Sequence, residues 1–113
     1  MQRDYRAYLE DIIEAAGAVR EFVTGMDKDE LGKDRRTRDA VVRNLEVIGE
    51  AAKKLPAQMK RDHPEVEWKK IAGLRDILVH DYFGIDMDIV WDVVQNKLPV
   101  LNEQIRRILD ESK

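Results

Sequence analysis

Arg75 and His80 are the side chains whose types and spacing suggest chemistry. They stand five residues apart in the segment Leu74-Arg75-Asp76-Ile77-Leu78-Val79-His80-Asp81-Tyr82, and His80 is one of two histidines in the chain. An arginine presents a planar fork of donors that matches phosphate oxygens, and it keeps its charge. A histidine exchanges a proton near neutral pH. A phosphate clamp beside a general acid/base is a minimal kit for breaking a phosphodiester. In RNA the 2′-hydroxyl is the nucleophile, so no metal is required. Histidine would take the proton of that hydroxyl or protonate the leaving 5′-oxygen, a role worth about 10²–10⁴-fold. Arginine would stabilise the charge building on the phosphoryl oxygens.

The periodicity places this segment on a helix. At about 100° per residue, Ile71, Leu74, Ile77 and Leu78 cluster toward the core, Tyr82 falls about 20° from Arg75 and His80 about 140° away, with Asp76 and Val79 between. Arg75 and His80 then lie about 7.5 Å apart along the axis and do not touch. They converge if the last turn loosens before Gly84. They also converge if two copies meet across a twofold axis and pool their residues, which gives one histidine for the acid and one for the base. The spacing also fits a structural role: Arg75 paired with Asp76, Asp81 or another acid, His80 as a cation at a helix C-terminus, and Tyr82 as a partly buried aromatic.

The rest of the chain must hold this segment. Its 113 residues fit one domain, 1–113, with one core. With 43% hydrophobic and 38% charged residues, 6 glycines and 3 prolines, the composition points to amphipathic helices rather than a sheet. The absence of cysteine excludes disulfides and thiolate metal sites, and with two histidines no transition-metal site or other cofactor is expected. A net charge of −3 gives no sign of nucleic-acid binding by the chain as a whole, so such binding would need a local patch or a partner's surface. No apolar run approaches the roughly 20 residues of a membrane span. The first residues lack the apolar stretch of a signal peptide. A cytoplasmic location is expected.

Tyr5, Tyr8, Leu9, Ile12, Ile13, Ala16, Val19 and Val23 make one helical stripe from about Asp4 to Val23, with Gly25 as its stop. Asp27 to Glu30 reads as a capping box opening a single turn that closes at Gly32, or as a plain loop. Val41, Leu45, Ile48, Ala52 and Leu55 form a heptad seam on a helix from Asp34 or Arg36 to Leu55. Gly49 within it costs up to about 1 kcal/mol relative to alanine, which makes sense if another backbone approaches there. Pro56 to Asp62 fits a short helix ended by His63-Pro64. A third long helix is expected from Val66 or Trp68 to about Tyr82, closed by Gly84. A fourth, capped by Asp86, carries Met87, Trp91, Val94, Leu98, Leu101, Ile105 and Ile108, with a kink where Pro99 loses the bond to Gln95. No segment alternates long enough to read as a strand, and no internal repeat is present. The expected architecture is all-α: an antiparallel up-and-down bundle of four main helices plus one or two short ones.

Among other candidates, Lys33, Arg35, Arg36, Arg38 and Arg43 form the densest basic run. It suits an RNA backbone or a solvated face balanced by the acids of Asp27 to Glu30. Asn44 and Glu50 would line a cleft if the second and third helices are neighbours. His63 reads as a surface loop residue. Asp86-x-Asp88 has the spacing of a nucleotidyltransferase metal pair, but the sheet and Gly-Ser lead-in of such enzymes are missing, so Asp86 reads as a cap.

Arg75-Asp76-Ile77-Leu78-Val79-His80-Asp81-Tyr82 resembles the R-x4-H-x-Y signature of HepT-type toxins, members of the HEPN superfamily. Arg43-Asn44-Leu45-Glu46-Val47-Ile48-Gly49-Glu50-Ala51 resembles the family's second-helix segment, and Trp68-Lys69-Lys70-Ile71-Ala72-Gly73-Leu74 its lead-in to the catalytic helix. The resemblance implies a HEPN-like bundle, usually a homodimer, with metal-independent endoribonuclease activity on RNA (tRNA or mRNA). Arg75 and His80 of both chains would form a composite cleft. Asp76 stands where such motifs carry a polar residue, often asparagine, and Asn44 is a possible second cleft-lining residue. The resemblance also implies a partner, a minimal nucleotidyltransferase antitoxin (MntA-like) that transfers AMP onto the motif tyrosine, here Tyr82. On the helical phase above, AMP there would sit beside Arg75 in place of an RNA phosphate. Two other functions fit the residues: a non-catalytic module that binds nucleotides or docks a nucleotidyltransferase, and a purely structural dimerising protein.

Overall fold

Caps and helix breakers set where the elements of this chain begin and end. A computed structural model describes residues 4–80 and 84–111. Helix α1, Tyr5–Phe22, opens on Asp4, whose side chain accepts the Arg6 N–H, and buries Leu9, Ile12, Ala15, Ala16 and Val19. Gly25 turns the chain at a φ of 79°. The Asp27/Glu30 capping box is present, and α2, Lys28–Lys33, follows it with Leu31 in the core. Asp34 then caps α3, Arg35–Lys53, through the Thr37 N–H. Helices α1 and α3 pack along each other more extensively than any other pair, with α8 against α1 and α5 and α6 against α3.

The predicted close approach at Gly49 is real. A Cβ there would lie 3.0 Å from the carbonyl oxygen of Ile71. Glycine is what lets the backbone of α5 settle on α3. Helix α4, Ala57–Asp62, occupies the expected short segment, with Pro56 as N-cap and His63 as C-cap.

The third long helix does not form. It is divided into α5, Trp68–Ala72, and α6, Leu74–Leu78. After Leu78 the chain is extended, and β1, Val79–His80, pairs antiparallel with β2, Gly84–Ile85, in the register Val79↔Ile85 and His80↔Gly84. The Leu78 carbonyl, which a continuing helix would bond four residues on, instead accepts the Asp86 N–H at 3.0 Å. Gly73 supplies the break between α5 and α6, and Gly84, at a φ of 76°, opens the returning strand. A small hairpin therefore stands where the sequence predicts neither strand nor break, in an otherwise all-α bundle.

Asp86 caps α7, Met87–Asp92, through the Asp88 and Ile89 N–H groups. The expected kink at Pro99 takes another form. A π-helical turn, Val93–Lys97, precedes α8, Leu98–Glu111, and the Leu98 N–H bonds the Val93 carbonyl five residues back. Widening the helix just before the proline makes room for its ring and rotates the apolar stripe. Ahead of the turn Val90 is buried while the expected Met87 and Trp91 are only half-buried, and after it Leu98 and Leu101 face the core as expected. Val93, Val94, Leu98, Leu101, Ile105 and Ile108 are all buried in the same cluster as Leu9, Ile12, Leu45, Ile48 and Leu78. Among the described residues no helix is long and apolar enough to cross a membrane.

Candidate active site

The candidate residues sit where a short helix hands over to the hairpin. Leu74 and Leu78, at the two ends of α6, are buried and fix it to the core. Arg75 and Asp76 between them are exposed. Upstream, α5 is anchored by Trp68, whose Nε1 donates to the His63 carbonyl at 3.0 Å, and by the contact of Ile71 with Gly49. The loop before it is tied to α8, because Gln104 Nε2 donates to the Glu65 carbonyl at 3.1 Å. Arg75 thus projects from a well-held platform.

The Arg75 guanidinium has no ion-pair or hydrogen-bond partner among the described residues. A pairing with Asp76 is absent, although the two are adjacent. Among the described residues Arg75 is thus an uncommitted cation, suited to an external anion. Asp76 uses its backbone N–H on the Gly73 carbonyl at 3.0 Å. Asn44 is half-buried on α3, and its Nδ2 donates to the Ala40 carbonyl at 2.9 Å within its own helix.

The helical-wheel relation of Arg75 to His80 does not hold past Leu78. The backbone of His80 belongs to β1, so its direction is set by the strand pairing with Gly84 rather than by helical phase. Tyr82, the predicted modification site, lies outside the described residues. Of the candidates, the structure places Arg75 and Asp76 together on α6, His80 at backbone level directly beyond it, and Asn44 on the helix against which α6 packs.

The remaining assignments sort cleanly. His63 is half-buried rather than a plain surface residue, with Nδ1 3.4 Å from Glu65 Oε1. Asp86 is a cap. Asp88 is bound by Lys28 Nζ at 2.6 Å, which raises the lysine's pKa. Asp27 and Glu30 are spent on each other's backbone N–H groups, at 2.8 and 3.1 Å. No group of three or more acidic or histidine side chains that could hold a metal occurs among the described residues.

A helical bundle whose exposed arginine leads, five residues on, into a hairpin-borne histidine and then a tyrosine defines the class: an all-α domain built around an R-x4-H-x-Y segment. The family model for HepT-like ribonucleases matches residues 12–108. The chain belongs to the HepT-like ribonuclease family. It is similar to "Putative RNase MJ0127" of Methanocaldococcus jannaschii, at 46% identity over 97% of this chain and 91% of that one. It is also similar to "Probable ribonuclease HepT" of Thermococcus cleftensis, at 40% identity over 96% and 98%, and to "Putative RNase TTE0752" of Caldanaerobacter subterraneus, at 41% identity over 96% of each. No solved structure matches the chain.

Proposed function

We propose that this protein is a metal-independent endoribonuclease, the toxin of a toxin–antitoxin pair. The observation that carries the reading is the exposed Arg75 guanidinium, without a partner among the described residues and five residues before His80, in a chain of the HepT-like ribonuclease family. Arg75 holds a phosphate of the RNA strand. The 2′-hydroxyl attacks the adjacent phosphorus, one histidine accepts its proton, and the 5′-oxygen leaves with a proton from a second histidine. The products are a 2′,3′-cyclic phosphate and a 5′-hydroxyl. Two protomers supply the two copies of His80, so the working unit is a homodimer. Tyr82 is the acceptor of AMP from a minimal nucleotidyltransferase partner. AMP there puts phosphate charge close to the arginine in sequence and competes with RNA.

The test is cleavage of total RNA or tRNA by the purified, unmodified protein in EDTA. Cleavage is expected, with loss in His80→Ala. An inactive unmodified protein, or a His80→Ala variant that cuts as well as the parent, sinks the mechanism. Intact mass of the protein co-expressed with its partner enzyme reads AMP on Tyr82 directly, and an unmodified Tyr82 removes the proposed control.

A further inference from the structure

We infer that Arg36 and Arg43, on one exposed face of α3, form a strip that binds phosphates of the substrate RNA away from the bond being cut. The inference rests on the ribonuclease reading above and extends it to substrate path.

The basic run of the sequence is divided by the structure. Arg38 turns back on the fold, with Nη1 donating to the Gly32 carbonyl at 3.2 Å and Nε 3.5 Å from Asp39. Arg35 reaches the same Asp39 at 3.9 Å. Arg43 and Lys33 have no acidic partner among the described residues, and Arg36 forms no close ion pair there, only a longer-range attraction to the capping Asp34. From Lys33 to Arg43, five basic residues face two acidic ones in a chain whose net charge is −3. Asp34, one of the two acids, is committed to capping α3.

Fold stability gives no reason for this pattern. Arg35 and Arg36 stand in the first turn of α3, which holds no acidic residue. The helix dipole disfavours cations there. An anionic ligand turns that arrangement to advantage. Arg36 and Arg43 are seven residues apart, so they lie within about 20° of each other and about 10.5 Å apart along the axis. That span covers about three nucleotides of a stacked strand, at about 3.4 Å each. Between them lie Ala40, a short side chain, and Asp39, whose carboxylate is shared by Arg35 at 3.9 Å and Arg38 at 3.5 Å. Helix α6, which carries Arg75, packs on α3. The exposed large hydrophobic side chains, Phe22 and Val100, are on α1 and α8 instead. A strip of charge without an apolar anchor fits a phosphate backbone better than a protein partner.

The experiment compares the full-length parent with Arg36→Gln/Arg43→Gln, and with Lys69→Gln/Arg106→Gln as a charge-matched control at exposed positions elsewhere. Binding to an uncleavable 2′-O-methyl single-stranded RNA is measured across salt concentrations, and kcat and KM are measured on cleavable RNA. The strip variant is expected to bind about tenfold more weakly at about 0.1 M salt. Its log–log salt slope should be shallower by about 1.4, at about 0.7 per lost contact on single strands. KM should rise and kcat stay within about twofold. Unchanged affinity and slope overturn the inference, as does an equal loss in the control. A changed oligomeric state of the strip variant by light scattering also overturns it, making the face a protein interface. A parent that cuts RNA while the strip variant keeps its KM sinks the strip alone. A parent that binds RNA through these arginines but leaves it intact supports the strip and sinks the ribonuclease reading.

Discussion

Gly49 and Gly17 are both helical, and the same substitution should move stability in opposite directions at the two sites. Around Gly17 on α1 nothing lies within 4 Å of where a Cβ would be. Gly17→Ala therefore gains helix propensity without a clash, up to about 1 kcal/mol. At Gly49 the same gain is available, but the new methyl would sit 3.0 Å from the Ile71 carbonyl oxygen and 3.5 Å from that of Ala72. Those atoms are backbone, held in a helix anchored by Trp68, and they cannot swing aside as a side chain would. Overpacking of this kind costs about 1–3 kcal/mol. Set against the propensity gain, Gly49→Ala should lose between about 0 and 2 kcal/mol. The two variants should differ by about 1–3 kcal/mol, which at this chain length is about 4 °C of Tm per kcal/mol. Circular dichroism through thermal and urea unfolding measures it. RNA cleavage adds a second readout, because Ile71 and Ala72 end the helix that leads through Gly73 to Arg75. Displacing them should lower kcat in Gly49→Ala and leave Gly17→Ala unaffected. A Gly49→Ala protein as stable as Gly17→Ala would show that α5 yields freely, and the account of how Arg75 is held would fail.

Arg75→Ala should lower kcat by about 10²–10³ while leaving Tm unchanged, because the side chain is exposed and has no partner among the described residues; a matching loss of Tm would make Arg75 structural. Gly84→Ala forces a Cβ onto a φ of 76°, at a cost of about 1–2 kcal/mol. It should reduce cleavage beyond what that destabilisation explains, and unchanged kcat would mean that the hairpin does not position His80. The acid limb of stability tests the α3 cap. Bonds to Asp34 from the Thr37 backbone and then its hydroxyl hold the carboxyl below its usual 3.8. A lowered folded pKa means that the contribution is complete above the unfolded value and is lost as pH falls through the folded one. The Tm gap between parent and Asp34→Ala should therefore shrink as pH drops below that 3.8. A gap that stays constant would remove the cap from the account.

Helix starts were legible because they are local chemistry. Asp86 caps its helix as expected, Asp27 forms the capping box that is one of the two readings of its segment, and Asp4 and Asp34, expected only as approximate starts, cap α1 and α3. The close approach at Gly49 was legible because a glycine in mid-helix needs a reason. The end of α6 was not. The apolar phase of Leu74, Ile77 and Leu78 is helical, and extrapolating it carries the helix through His80 to Tyr82. What stops it is a tertiary bond, the Leu78 carbonyl taken by the Asp86 N–H, and sequence periodicity does not register a competitor eight residues away. The π turn was hidden for a related reason. Pro99 announces trouble, but whether a helix kinks or widens depends on which contacts hold it before and after the turn. Here buried residues on both sides of the turn do so.

The break at Leu78 changes what kind of site this segment can make. On a continuous helix, Arg75 and His80 would be locked at a fixed angle, pointing about 140° apart. With His80 on a strand, the two backbones are held separately: that of Arg75 by the anchored ends of α6, that of His80 by a two-residue pairing with Gly84 and Ile85. A rigid phosphate clamp and a separately set proton carrier suit a reaction in which phosphate position is constant while the proton moves first from one oxygen and then to another. The same hairpin carries the tyrosine of the motif between its strands in sequence. On the proposed function, a group attached there would load the segment that joins the strand of His80 to its partner strand in sequence. Modification of Tyr82 should then lower kcat as well as raise KM for RNA. A modified protein with raised KM and parental kcat would confine the effect to blocking the clamp.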